Sequence, residues 1–275
     1  MCRKASWILG LIGVLGMSQA VSASSIILNE YNAIDSTVTP SKADTYFGKI
    51  QGNGGNWFEL VVTEDHLNMT GWTLNWKETD NSSGNKAGTI YLSNNSFWSD
   101  IRQGVILTFI ENFSATGGKD TDTSLNYTTD WWVNICTLSE QAKYNANDPT
   151  SLAHTVYTAG GGNIGDFTTS NDGWALQICD SEGHVVMAWT GEGVFCDGGV
   201  NSQEVFKLET NPSASILPTD PHYNDGSSST FGSANIWSSG ACVQNFSALR
   251  AWAVPEPATL IFLTLGSLAG IFRKK

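Results

Sequence analysis

The chain has 275 residues, 26 Asp and Glu against 14 Lys and Arg, and a formal net charge of −12 with 41% hydrophobic residues. No cluster of Lys or Arg precedes the C-terminus, which argues against a surface built to neutralise a nucleic-acid backbone. Length and hydrophobic content allow one large domain or two small ones.

Arg3 and Lys4 precede an apolar stretch at residues 7–17, and Val21-Ser22-Ala23 puts small residues at alternate positions. Residues 1–23 therefore read as a secretory signal peptide cut after Ala23, with Ala20 the alternative. Cys2 lies ahead of the apolar run and is lost with it. Removing Arg3 and Lys4 leaves 12 basic against 26 acidic residues, a net of −14, and losing the last three basic residues as well leaves 9 against 26, or −17. Such an excess suits a soluble extracellular protein.

The body, residues 24–253, reads as short strands separated by Gly, Asn, Asp and Ser. Strands are predicted at 26–31, 57–62, 72–77, 89–92, 105–110, 131–136, 174–179, 185–189 and 205–208. Trp72, Leu74 and Trp76 alternate with polar residues, the period of a half-buried strand, and Phe58, Leu60 and Val62 follow the same rule. Residues 105–110 are apolar at nearly every position, as in a strand covered on both faces. The clearest hairpin turns through Asp180-Ser181-Glu182-Gly183, where Gly183 supplies a positive φ. Long stretches at 77–88, 112–130, 138–171 and 211–232 are expected to be surface loops or extra elements, and the chain after Leu208 to wrap the body without adding core. No helical period is visible. Many strands without intervening helices predict an all-β sandwich.

Four cysteines survive export: Cys136, Cys179, Cys196 and Cys242. An even count in an oxidising compartment predicts disulfides, and similar strand settings favour Cys136 with Cys179 and Cys196 with Cys242. No CxxC pair points to zinc. His66, His154, His184 and His222 are far apart in predicted turns and loops, and none stands in a metal or hydrolase motif. Neither the acidic loop at 118–124 nor the Asp220 to Asp225 cluster completes a calcium set, so no metal or cofactor is expected. Glu30 and Glu59 would approach one another if their strands pair, but no third group marks them as catalytic. Trp98, Trp131 and Trp237 stand beside predicted loops, where an exposed ring could stack on a sugar.

The segments Ile26-Ile27-Leu28-Asn29-Glu30, Trp57-Phe58-Glu59-Leu60 and Leu67-Asn68-Met69-Thr70-Gly71-Trp72-Thr73-Leu74 resemble, in that order, the opening of a lamin-tail domain. Residues 172–176 and 180–183 are similar to its later strand and turn, and 230–235 to its closing segment. Val61-Val62 departs from the Tyr-Asn usual after Glu-Leu. The resemblance implies an immunoglobulin-like sandwich with a binding or structural role and no catalytic residues.

The last 22 residues form a tripartite tail: Val254-Pro255-Glu256-Pro257, an apolar run at 258–272, and Arg273-Lys274-Lys275. The run is at the short end for a transmembrane helix, and the basic triplet holds its end in the cytoplasm. Pro255 and Pro257 keep the segment around Glu256 extended, a shape a protease can grip. Residues 254–275 closely resemble the PEP-CTERM sorting signal of Gram-negative bacteria, which implies an exosortase-type membrane protease as partner and release to the cell surface or extracellular matrix. The first functional expectation is thus an exported, non-enzymatic surface or matrix protein. A carbohydrate-binding module for extracellular polysaccharide is the alternative, and a secreted hydrolase finds no supporting motif.

Overall fold

The computed structural model describes residues 23–34, 56–79, 85–110, 124–137, 152–160, 167–195, 200–226 and 229–251. The signal sequence, the sorting tail, Cys196 and nearly all of the 118–124 loop lie outside them. Eleven strands form two sheets among the described residues, so the all-β reading holds. One sheet runs β11(Tyr223–Gly226), β10(Val205–Leu208), β1(Ile26–Asn32), β2(Trp57–Val62), β5(Ile106–Ile110), β6(Trp132–Cys136). The other runs β7(Ala153–Ala159), β4(Lys86–Leu92), β3(Thr73–Glu78), β8(Ala175–Cys179), β9(Val185–Thr190). Every pairing is antiparallel except β5 with β6. Two single-turn α-helices are added, α1(Glu192–Phe195) between β9 and β10 and α2(Ser247–Ala251) after β11.

Aromatic rings fill the space between the sheets. Phe58 stacks on Phe109 with centroids 5.0 Å apart, and Trp174 packs on Tyr31 at 4.5 Å and on Phe58 at 5.6 Å. Trp76 points inward from β3 opposite Gly88, where a Cβ would stand 2.6 Å from the indole, so β4 needs glycine there. Leu74 and Trp76 are buried while Thr73, Asn75 and Lys77 face outward, as the two-residue period requires. The β8–β9 hairpin forms as its turn residues dictate, with Gly183 at φ 87° and Asp180 Oδ1 accepting the Glu182 and His184 amides at 2.9 Å.

Three expectations are corrected. β2 is buried at all six positions, because the chain beyond β11 covers its second face. The chain after Leu208, expected only to wrap, supplies β11 and the buried Phe231, Asn235, Gln244 and Phe246. Within 138–171 the extra element is β7; its inward Ala153 and Thr155 are too small to produce a hydrophobic period, and it carries His154.

The third correction concerns the cysteines. Cys136 does not bond to Cys179, and Cys179 and Cys242 are free. Cys136 shares the outer face of the six-stranded sheet with Ile110, while Cys179 is opposite Thr73 on the other sheet, its Sγ 3.7 Å from Asn75 Nδ2. Packed sheets stand about 10 Å apart and these two residues point to opposite exteriors, beyond the roughly 7 Å Cα reach of a disulfide.

Candidate functional site

The pairing of β1 with β2 places Glu30 directly opposite Glu59. A bulge at Asn29 lets it happen, since Leu28 opposes Leu60 and the next registered pair is Glu30 with Glu59. Register continues the row in both directions: Lys207 on β10 opposes Glu30, Thr108 on β5 opposes Glu59, and Asn134 on β6 opposes Thr108. Directly opposed residues share a sheet face. A polar stripe therefore crosses the outer side of the six-stranded sheet, and Glu30, Glu59, Thr108 and Lys207 are each 0% exposed.

Residues 229–246 form its roof. Thr230 donates to Glu30 through its amide at 3.2 Å and its hydroxyl at 2.7 Å. Glu59 Oε1 accepts the Gly232 amide and the Thr108 hydroxyl, the latter at 3.0 Å. Trp132 Nε1 donates to Thr108 Oγ1 at 2.8 Å. Phe231 meets Trp57 edge-on at 5.1 Å and Trp132 at 5.7 Å, closing an apolar rim with Ile34, Ile110 and Val205. Gly232 has φ 70°, and a Cβ there would fall 2.6 Å from the Trp132 ring. Beside the carboxylates, Asn235 Nδ2 donates to the Asn29 and Leu208 carbonyls at 3.0 and 3.1 Å, and Gln244 Nε2 donates to Asn29 Oδ1 and to Leu208 O at 2.9 Å.

Burial, and then the charge of Glu30, holds the Glu59 carboxyl well above the usual carboxylate range. Burial lowers Lys207, which Glu30 and then Glu209 oppose. Glu30 faces Lys207 across the β1–β10 ladder. Two like charges on adjacent strands in a dry site would be costly, and burial beside Glu30 favours the protonated form of Glu59. Chemically this is a clasp: the buried carboxylates hold backbone and hydroxyl donors of the roof. Sequence reasoning anticipated the approach of Glu30 and Glu59 but not Lys207, whose flanks Phe206 and Leu208 mark a strand with one polar residue, nor the donors Thr230 and Gly232.

The other predicted positions do not join this site. Trp98, expected beside a loop as a sugar platform, is 0% exposed and donates Nε1 to Leu152 O at 3.0 Å, so its ring belongs to the core. Trp131 is half-buried, with the Arg250 guanidinium 4.9 Å from its ring centre. Trp237 is half-buried and bonded through its amide to Cys242 O at 2.9 Å. His66, His184 and His222 lie in turns with Nδ1 against Asp100 at 2.7 Å, Asp180 at 3.1 Å and Asp220 at 2.7 Å. Among the described residues no three His, Cys, Asp or Glu side chains gather closely enough to hold a metal ion, and no helix is long and apolar enough to cross a membrane.

A second buried carboxylate was not foreseen. Glu192 opens α1 with Oε2 unpartnered, and burial raises its carboxyl to about 7, against the amides of Gly173 and Val200 and with help from Asp172 and Asp225. The folded state therefore binds this proton more tightly than the unfolded chain. Its contribution is fully present below pH 4.5 and is lost as pH rises from there through 7. Glu192→Gln is expected to raise the melting temperature at pH 8 but not at pH 4, measured by thermal unfolding at both. Equal shifts at the two pH values would contradict the assignment.

Residues 253–275 match the PEP-CTERM protein-sorting motif. The motif implies export, membrane-linked sorting and processing by an exosortase. No curated protein and no solved structure matches the chain.

Proposed function

We propose that this PEP-CTERM-tailed protein is a non-enzymatic component of the cell surface or extracellular matrix of a Gram-negative bacterium. In this reading residues 1–23 direct export, residues 24–253 form a lamin-tail-like, immunoglobulin-like sandwich that acts by interaction, and the tail is removed by an exosortase. The sorting motif at residues 253–275 carries the proposal. The clasp supports it, because the chain's most suggestive carboxylate pair is fully buried and engaged by Thr230 and Gly232. Polysaccharide binding through Trp98 loses its basis with that ring in the core.

The test is mass spectrometry of the protein recovered outside the cell. It is expected to begin at Ser24 and to lack Arg273, Lys274 and Lys275. Recovery of an extracellular protein whose last peptide ends at Lys275 would overturn the sorting reading.

A further inference from the structure

We infer that the outward face of the five-stranded sheet binds an extended acidic polysaccharide, a chain bearing uronate carboxylates. The inference rests on the reading of the body as an exported interaction module and names its partner.

Three observations carry it. First, two aromatic rings flank the face, each held by a neighbour. Tyr91 is 38% exposed and stacks on His154 with centroids 5.1 Å apart, and half-buried Trp189 carries Lys77 Nζ 4.4 Å from its ring centre. Tyr91 on β4 and Trp189 on β9 stand three strands apart, about 14 Å across the sheet, and because Tyr91 is level with Val185 the ring of Trp189 lies roughly 10 Å further along the strands. Several linked pyranose rings cover that distance, and the apolar faces of sugar rings pack on aromatic carbon.

Second, the floor between the rings is polar. Asn75 on β3 opposes Thr89 on one side and Gln177 on the other, and Thr89 Oγ1 donates to Asn75 Oδ1 at 2.8 Å. Side-chain amides and a hydroxyl offer the paired donors and acceptors that sugar hydroxyls need. They also break up the contiguous apolar surface that characterises the core of a protein interface.

Third, the charge of the face runs against the charge of the chain. The protein carries 26 acidic and 14 basic residues. Yet the described residues of β3, β4, β7, β8 and β9 that point outward include Lys77 and no carboxylate; the one acid on these strands, Glu78, is buried and paired with Lys86 Nζ at 2.7 Å. An acidic protein approaches a polyanion against repulsion, so a carboxylate-free face with a cation beside a ring is where such a chain can lie. A neutral polymer would need no such clearing.

The test uses the secreted, processed protein in affinity electrophoresis through gels holding alginate or polygalacturonate, in chelator-containing buffer, with dextran and hydroxyethyl cellulose as neutral polymers. Both uronate polymers are expected to retard it, less so at high salt. Tyr91→Ala and Trp189→Ala should each weaken retardation about tenfold, and Lys77→Gln should remove most of the salt dependence. Alginate oligosaccharides should also change the tryptophan fluorescence of the wild type, and Trp189→Phe, a milder replacement, should abolish that change. Equal retardation by the neutral polymers, no retardation by either uronate polymer, or undiminished binding by the ring variants overturns the inference. Each of those results leaves the sorting reading standing, since extracellular recovery and tail loss are measured separately.

Discussion

With Pro255, Glu256 and Pro257 all replaced by alanine, the protein is expected to remain in the inner membrane at its unprocessed mass, while the wild type leaves the cell without its basic triplet. The physical basis is local. Two prolines deny the backbone helical continuation and keep Glu256 in an extended stretch ahead of the apolar run. Alanine, the best helix former, allows the membrane helix to grow upstream through the recognition segment and removes the carboxylate. The apolar run at 258–272 is untouched, so insertion persists and processing is what fails. Cell fractionation and intact mass measure the outcome. A variant processed and released like the wild type would show that the match at residues 253–275 does not act as a sorting signal here.

Glu30→Ala is expected to destabilise the body by about 4 kcal/mol, enough to lower its melting temperature by roughly 10 °C. Glu30 holds the roof through the Thr230 amide and hydroxyl and faces Lys207 across the ladder. Truncation strips the half-buried Thr230 amide of its acceptor, leaves the Thr230 hydroxyl only Asn235 Oδ1, and removes the carboxylate opposite buried Lys207, where loss of one partner of a buried charged pair costs about 3–5 kcal/mol. Limited proteolysis should then cut within residues 229–246 under conditions where the wild type resists. Glu59→Gln is the control. Burial favours the protonated form of Glu59, which glutamine mimics, and the amide keeps an oxygen for Gly232 and Thr108, so stability should change by less than about 1 kcal/mol at pH 7. If chemical denaturation finds Glu30→Ala as stable as Glu59→Gln, the clasp does not hold the roof.

The contrast between β2 and β3 shows how much of this site was legible. Both strands alternate in sequence, but only β3 keeps a solvent face. What fills the other side of β2 comes from residues such as Thr230, 200 positions from the Glu30 it binds. No local pattern encodes a cover that distant. Trp98 misleads for the same reason: apart from Phe97 its neighbours in the chain, Asn95, Ser96, Ser99 and Asp100, are polar, but its ring packs on Phe109 and donates to the distant Leu152 carbonyl. β11, Tyr-Asn-Asp-Gly, has poor strand propensity and forms because β10 offers a ladder and Tyr223 donates its hydroxyl to Leu28 O at 2.8 Å.

Sequence alone determined what depends on neighbours in the chain. The sorting tail is one, since a protease reads an extended segment directly. The Gly183 turn, the half-buried period of β3 and the nearly all-apolar β5 are others, because φ preference and side-chain alternation act over a few residues. Tertiary structure decided which polar groups are buried, that Glu30, Glu59 and Lys207 meet in one row, that Cys136 and Cys179 face opposite exteriors, and which rings reach solvent. Those outcomes depend on strand order and on what covers each sheet, and both are set by contacts between segments far apart in the chain.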